Sequence, residues 1–173
     1  MAGNAKNTLD KITDAIGGTA GKVGASMTNE AGDFVQSAAI GDLYEITAGK
    51  LALKRSRDET VRSLARKMVD DHTASTHHMM AALEMNETRG VEPPPQELDA
   101  RRQTMIDHLE QAPDDTFDRT YLDQQALAHE ETVSLMRNYS MSGDNPQLRS
   151  LALGTLPVVE RHLEHVTRLR AEV

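Results

Sequence analysis

The chain has 173 residues, a formal net charge of −8 and no cysteine. The missing cysteine excludes disulfides, thiolate metal sites and cysteine nucleophiles, and the acidic balance argues against nucleic acid or an anionic membrane as a partner. Leu, Ala and Met carry the apolar content and only 3% of residues are aromatic, a composition that favours packed helices. No apolar stretch is long enough to span a bilayer.

Residues 1–29 predict a flexible N-terminal segment that forms at most a short, weak amphipathic helix. Leu9, Ile12 and Ile16 have helical spacing, but four glycines between positions 17 and 24 interrupt the pattern. The alternative is a docking segment for a partner or a membrane surface. The segment lacks the apolar core and cleavage site of an export signal, so the sequence predicts a cytoplasmic protein.

Two amphipathic helices follow in quick succession. The first is predicted to begin near Asp33, a plausible N-cap. The second is predicted to begin at Ser56, which has Glu59 three residues later in the pattern of a capping box, and to end by Gly90. Because the connection between them is tight, the two helices are expected to be antiparallel.

A proline-rich connection separates this pair from a second one. Pro93–Pro95 cannot be helical, and residues 97–110 predict a short helix within the connection. A third long helix is predicted to open around Pro113 and to end at Gly143. Asn145 followed by Pro146 predicts the start of the last helix, with an N-cap and then proline at the first helical position.

This order of elements predicts an all-α domain over residues 30–173. Two antiparallel hairpins are joined by a long crossover that contains a short helix. That connectivity is typical of ferritin-like four-helix bundles rather than of a simple up-down-up-down bundle.

Each of the four long helices carries one polar residue near its middle on the face that should point inward. These residues are Glu45, His72, His129 and His162. Helices of similar length that pack side by side bring their midpoints to one level, so the four side chains are predicted to converge. Three imidazoles and a carboxylate suit a single zinc, iron or copper ion. The alternative is a metal-free buried network, completed by the polar side chains of the same faces: Thr76, Gln125 and Thr155.

Other polar residues lie close to these four in sequence. Asp42 and Asp71 are candidates to hold an imidazole in one tautomer, with solvated surface charge as the alternative. His165, three residues after His162, could join the same face or lie at its boundary, and Thr76 and Gln125 are further candidates to stand behind the ligands. The adjacent His77 and His78 are expected to face solvent, and His108, in the connection, is also expected to be exposed.

Five stretches of the chain share their order and spacing with a known family: residues 41–46, 49–52, 68–72, 121–129 and 155–163. Over most of the chain this pattern resembles the bacterial ferritin-like family DUF4142. The resemblance implies a ferritin-like four-helix fold and no particular activity, and many members of that family begin with an export signal.

A di-iron oxidase is not expected despite this fold. Such centres need Glu-x-x-His motifs on two helices, but Val69, Ala126 and Val159 stand three residues before the three histidines. No nucleophile elbow or phosphate-binding glycine loop occurs either, which favours a protein that is not an enzyme.

Two functions of different class therefore remain open. The first is a metal-binding protein of metal homeostasis or of oxidative or envelope stress protection. The second is a metal-free bundle that acts through its outer faces or its N-terminal segment, with a protein partner or as a homodimer.

Overall fold

The computed structural model describes residues 2–172, with side chains from residue 6 onward, and this part of the chain is helical without any strand. None of the described helices is both long enough and apolar enough to cross a bilayer. A single turn of 3₁₀-helix at Asn86–Thr88 precedes the proline-rich connection. The α-helices are α1 (Ala2–Ala25), α2 (Ala31–Arg55), α3 (Glu59–Leu83), α4 (Ala100–Gln111), α5 (Phe117–Ser142) and α6 (Pro146–Glu172).

Helices α2 and α3 form one packed pair, and α5 and α6 form another. The pairs meet through contacts of α2 with α5 and of α3 with α6. Their apolar side chains form two separate hydrophobic clusters, one around Leu64, Met68 and Leu122, the other around Met79 and Leu148. A fully buried side chain of this size stabilises the fold by about 1.5–3 kcal/mol, so each cluster is a substantial core.

The two clusters also give the direction of the helices. Along α3 the chain passes from the first cluster at Met68 to the second at Met79, and along α5 it passes from Leu122 to Met136 in the same sense. Helix α6 runs the opposite way, from Val159 to Val166. The connection from α3 to α5, which contains α4, therefore returns along the length of the molecule.

The helix starts agree only in part with the sequence prediction. Asn145 caps α6 as predicted, because its Oδ1 accepts hydrogen bonds from the backbone N–H groups of residues 147 and 148 at 3.0 and 3.1 Å. The cap of α3 is Asp58 rather than Ser56, since the Asp58 carboxylate accepts from the N–H groups of residues 60 and 61. Helix α2 begins two residues before Asp33, and α3 ends at Leu83, well before Gly90.

The N-terminal region departs furthest from expectation. A 24-residue helix occupies Ala2–Ala25, where the sequence predicted a flexible segment with at most a short helix. Its glycines allow close packing on α5: a Cβ at Gly18 would lie 3.0 Å from Leu127, and one at Gly21 would lie 2.5 Å from the Glu131 carboxylate. The glycines that argued against a helix in the sequence therefore allow α1 to pack closely on α5.

Helix α1 is also tied to the rest of the molecule by a polar contact that the sequence did not predict. Asp14 is buried, accepts a hydrogen bond from Gln124 Nε2 at 2.7 Å and lies 2.8 Å from His108 Nδ1. The prediction that His108 is exposed is therefore wrong, because α1 covers the face of α4 that carries it.

Candidate metal centre

The four predicted residues lie in one polar layer between the two hydrophobic clusters. On α3, His72 lies between Met68 of the first cluster and Met79 of the second. His129 on α5 and His162 on α6 occupy the corresponding positions between the clusters, and Glu45 on α2 reaches the same layer, where it contacts His129. All four are buried, with exposed fractions between 1% and 4%.

The three imidazoles converge on one point. The ring centroids of His72, His129 and His162 are 5.5–5.8 Å apart. One ring nitrogen of each lies within 4.8 Å of those of the other two. Glu45 is next to this group rather than in it: its Oε1 is 3.5 Å from His129 Nδ1.

Each imidazole contacts a hydrogen-bond acceptor through its outer nitrogen. His72 Nδ1 is 2.7 Å from Asp42 Oδ1, and His162 Nε2 is 2.8 Å from Asp71 Oδ2. His129 Nδ1 is 2.9 Å from the carbonyl oxygen of Gln125. Because carboxylate and carbonyl oxygens only accept hydrogen bonds, each outer nitrogen carries the ring proton and donates it.

The opposite nitrogen of each neutral ring must then present a lone pair. These inner nitrogens are His72 Nε2, His129 Nε2 and His162 Nδ1, and each is buried without a hydrogen-bond partner in the described part of the protein. Buried polar atoms are normally paired, so three unpaired acceptors in one place are unusual. The arrangement is chemically suited to a cation.

The surroundings shift the pKa values of the three rings in different directions. Burial lowers the pKa of His129, and it lowers the pKa of His162 to about 4 with help from neighbouring His129. Burial also acts to lower the pKa of His72, but the hydrogen bond to Asp42 and the negative charge of Glu45 outweigh it and raise that pKa. Without a metal, the cluster therefore holds its first proton on His72.

The alternative polar network is present only in part. Gln125 Nε2 donates to Glu45 Oε2 at 2.6 Å, and Thr76 Oγ1 donates to Asp42 Oδ2 at 3.2 Å. Glu45 Oε1 and Gln125 Oε1 nevertheless remain without partners in residues 6–172. These contacts position the carboxylates but do not reach the inner nitrogens.

The flanking residues fall into two groups. Asp42 and Asp71 both contact imidazoles, so the reading of either as a solvated surface charge is wrong. His165, half-buried on α6, is not part of the converging group. His77 and His78 are exposed, as predicted. Asp42 and Asp71 therefore hold imidazoles, as the sequence analysis allowed, but the pairing of Asp42 with His72 in particular depends on how α2 packs on α3.

A small cavity of about 30 Å³ adjoins the cluster. His72 and His162 line it together with both aspartates, and Ala38 and Gly41 on α2 leave it room. A wide groove between α3 and α6 lies outside it. Five side chains line both the cavity and the groove: Asp71, Ser75, Thr155, Val158 and His162.

Comparison with known proteins gives a family but no activity. The family model described as domain of unknown function DUF4142 matches residues 18–169. No curated protein matches the chain. The crystal structure of a DUF305 fragment from Deinococcus radiodurans is similar, with a TM-score of 0.70 and 18% identity over 84% of this chain and 98% of that one. At this identity the similarity shows the fold alone.

Proposed function

We propose that this chain, which belongs to the DUF4142 family, binds one transition-metal ion through His72, His129 and His162. The observation that carries the proposal is the set of three buried inner nitrogens, which have no partner in the described residues and lie close together. Three neutral imidazoles are a common ligand set for zinc, and imidazole also suits iron and copper.

The carboxylates behind the rings support this proposal. A metal-binding histidine usually donates its other N–H to a carboxylate or a carbonyl, which fixes the tautomer and makes the ligand more basic. Asp42, Asp71 and the carbonyl of Gln125 stand in those places. Glu45 reaches the outer nitrogen of His129, so we propose that it supplies negative charge and not a fourth bond to the ion.

We also propose that the helices form a ferritin-like bundle without a di-iron centre. The support for the bundle is the common direction of α3 and α5, which requires a returning crossover. A di-iron pair needs several bridging carboxylates, whereas the convergent atoms here are imidazole nitrogens. A single-ion role in metal homeostasis or in protection against oxidative or envelope stress fits such a site better than an oxidase does.

Elemental analysis tests the proposal directly. The protein is purified without a histidine tag, stripped with chelator, reloaded with zinc, iron(II) or copper and freed of excess metal. We expect about one ion per chain in the wild type and a large loss in His129→Ala. His77→Ala, which removes an exposed imidazole from α3, should retain the ion. Equal loading of all three proteins would assign the metal to the surface and leave the metal-free network as the function of the cluster.

A second candidate function rests on a different surface. The outward face of α1 carries large apolar side chains with exposed fractions of 51–67%, opposite the glycines that pack on α5. We propose this face as a contact for a protein partner or for a second copy of the chain. Sedimentation of the wild type and of an Ile12→Gln/Ile16→Gln variant tests the homodimer, which requires that the wild type sediment as a dimer and the variant as a monomer. The residues of this face are Leu9, Ile12, Ile16 and Val23.

A further inference from the structure

The ion in the proposed site would have one coordination position that the protein does not fill. Three imidazoles supply three ligands, and no other His, Asp or Glu atom of residues 6–172 joins their group. Zinc and related ions take at least four ligands, and sites with three protein ligands leave the fourth for water or a substrate. The cavity beside His72 and His162 is the place next to the cluster that has room for such a ligand.

The size of the cavity limits that ligand. A volume of about 30 Å³ holds about two molecules of the size of water, since one water needs about 10–15 Å³ by this measure. The groove between α3 and α6 is far larger, about 630 Å³, and it shares Ser75 and Thr155 with the cavity. The shared side chains place the groove next to the cavity, and the cavity has room for a diatomic or peroxide-sized molecule but not for a sugar or a nucleotide.

The charge around the cluster selects among such small ligands. Asp42, Asp71 and Glu45 each lie against one imidazole, and Lys67 pairs with Asp71 at 2.6 Å. A divalent ion and the lysine bring three positive charges, which the three carboxylates balance. Arg161 lines the groove outside but not the cavity. An added anion would leave a net negative charge in a buried place, which is costly, while a neutral ligand keeps the balance.

We propose that the fourth position takes a small neutral ligand that arrives through the α3–α6 groove, and that Asp42, Asp71 and Glu45 exclude small anions from it. This inference rests on the proposed metal site. The small ligand is a neutral donor molecule of two to four atoms. Anions are excluded by the carboxylates behind the three histidines and not by the histidines themselves.

Two probes test the charge filter. Nitric oxide, a neutral diatomic, is titrated into the iron(II)-loaded protein and followed by EPR. Azide is titrated into the cobalt(II)-loaded protein and followed by its visible spectrum. We expect nitric oxide to bind the wild type and azide to bind weakly. Asp71→Asn keeps an oxygen that accepts from His162 but removes one charge about 6 Å from the ion, so azide should bind about ten- to a hundredfold tighter.

The matched control for charge is Asp70→Asn, which makes the same substitution at the neighbouring exposed residue of α3 and should leave azide binding unchanged. The groove is tested with Ser75→Leu, which narrows the passage and should slow nitric oxide binding at least tenfold. Ser63→Leu, at an exposed position of the same helix, should not. If Ser75→Leu does not fold, the smaller Ser75→Val tests the same route, and the aspartate variants decide the charge filter separately.

The outcomes separate this inference from the metal site itself. A wild type that retains iron but binds no nitric oxide has no free position and overturns the inference alone. Azide that binds the wild type as tightly as it binds Asp71→Asn overturns the charge filter. Equal rates of nitric oxide binding in the two serine variants overturn the groove as the route. A wild type that retains no iron or cobalt overturns the proposed function and this inference together.

Discussion

Replacing His129 by alanine should abolish the stabilisation of the protein by zinc. His129 supplies one of three inner nitrogens and is 1% exposed, and the chain has no cysteine that could take its place. A ligand that binds only the folded state at a hundredfold excess over its Kd raises the free energy of unfolding by about 2.7 kcal/mol. With an unfolding entropy of about 2.1 cal/mol/K per residue and 173 residues, this increment corresponds to a rise in Tm of about 7 °C.

The assay is thermal unfolding of chelator-stripped protein with and without zinc at one fixed pH. The increment is compared within each variant, because His129→Ala also removes buried contacts and lowers the starting Tm. We expect a rise of about 7 °C in the wild type and almost none in His129→Ala. His77→Ala provides the matched control, since it removes an exposed imidazole from the helix that carries His72 and should keep the full increment.

Two results would refute the reasoning. If zinc, copper, manganese and ferrous iron all fail to raise the Tm of the stripped wild type, the three inner nitrogens are not a metal site under those conditions. If the increment survives in His129→Ala and disappears in His77→Ala, the metal binds at the surface of α3 and the convergence at the midplane has no part in it.

Three further predictions follow from individual contacts. Asp42→Ala should weaken zinc binding about 10–100-fold in a chelator competition, because it removes the acceptor that orients His72; unchanged affinity would mean that the ring is held by packing alone. In the metal-free protein the His162 pKa of about 4 lies below the unfolded value of about 6.5, so between these pH values the unfolded state binds a proton that the native state does not. His162 therefore lowers the free energy of unfolding by up to about 3 kcal/mol as pH falls. Urea titrations at pH 7 and 4.5 should show a smaller loss of stability in His162→Gln than in the wild type, and an equal loss would contradict the assignment. Gly49→Ala should cost about 1–3 kcal/mol in urea unfolding because its Cβ would lie 2.8 Å from a side-chain methyl of α3, whereas Gly32→Ala, with open space around it, should not be destabilising.

The sequence was sufficient to place the three histidines because their position depends only on helical periodicity and helix length. A residue at the middle of an inward face stays at the middle whichever way the helix runs. Asp42 was predicted as a candidate to hold an imidazole, but the sequence could not show that its partner is His72. That pairing depends on the register between α2 and α3, which is set by close approaches such as that of Gly49 to Val69, and a single sequence carries no signal for that register.

The N-terminal helix shows the limit of local propensity. Glycine in a helix costs about 1 kcal/mol relative to alanine, so four glycines between positions 17 and 24 argued against a stable helix. The helix forms nevertheless, because Gly18 and Gly21 let α1 pack closely on α5. Asp14 of α1 also contacts Gln124 and His108 in the interior. Buried carboxylates need partners, and the partners of Asp14 are on helices about a hundred residues away in the chain.

The polar layer also explains why proton and metal should compete for one site. Three buried lone pairs repel one another and have no donor in the described residues, so a positive charge among them is favourable. His72, whose pKa is raised, can take up a proton, but this places only one N–H donor among the three nitrogens. A metal ion bonds all three at once. Metal binding therefore competes with protonation of His72, so metal affinity should fall on acidification as the cluster takes up protons.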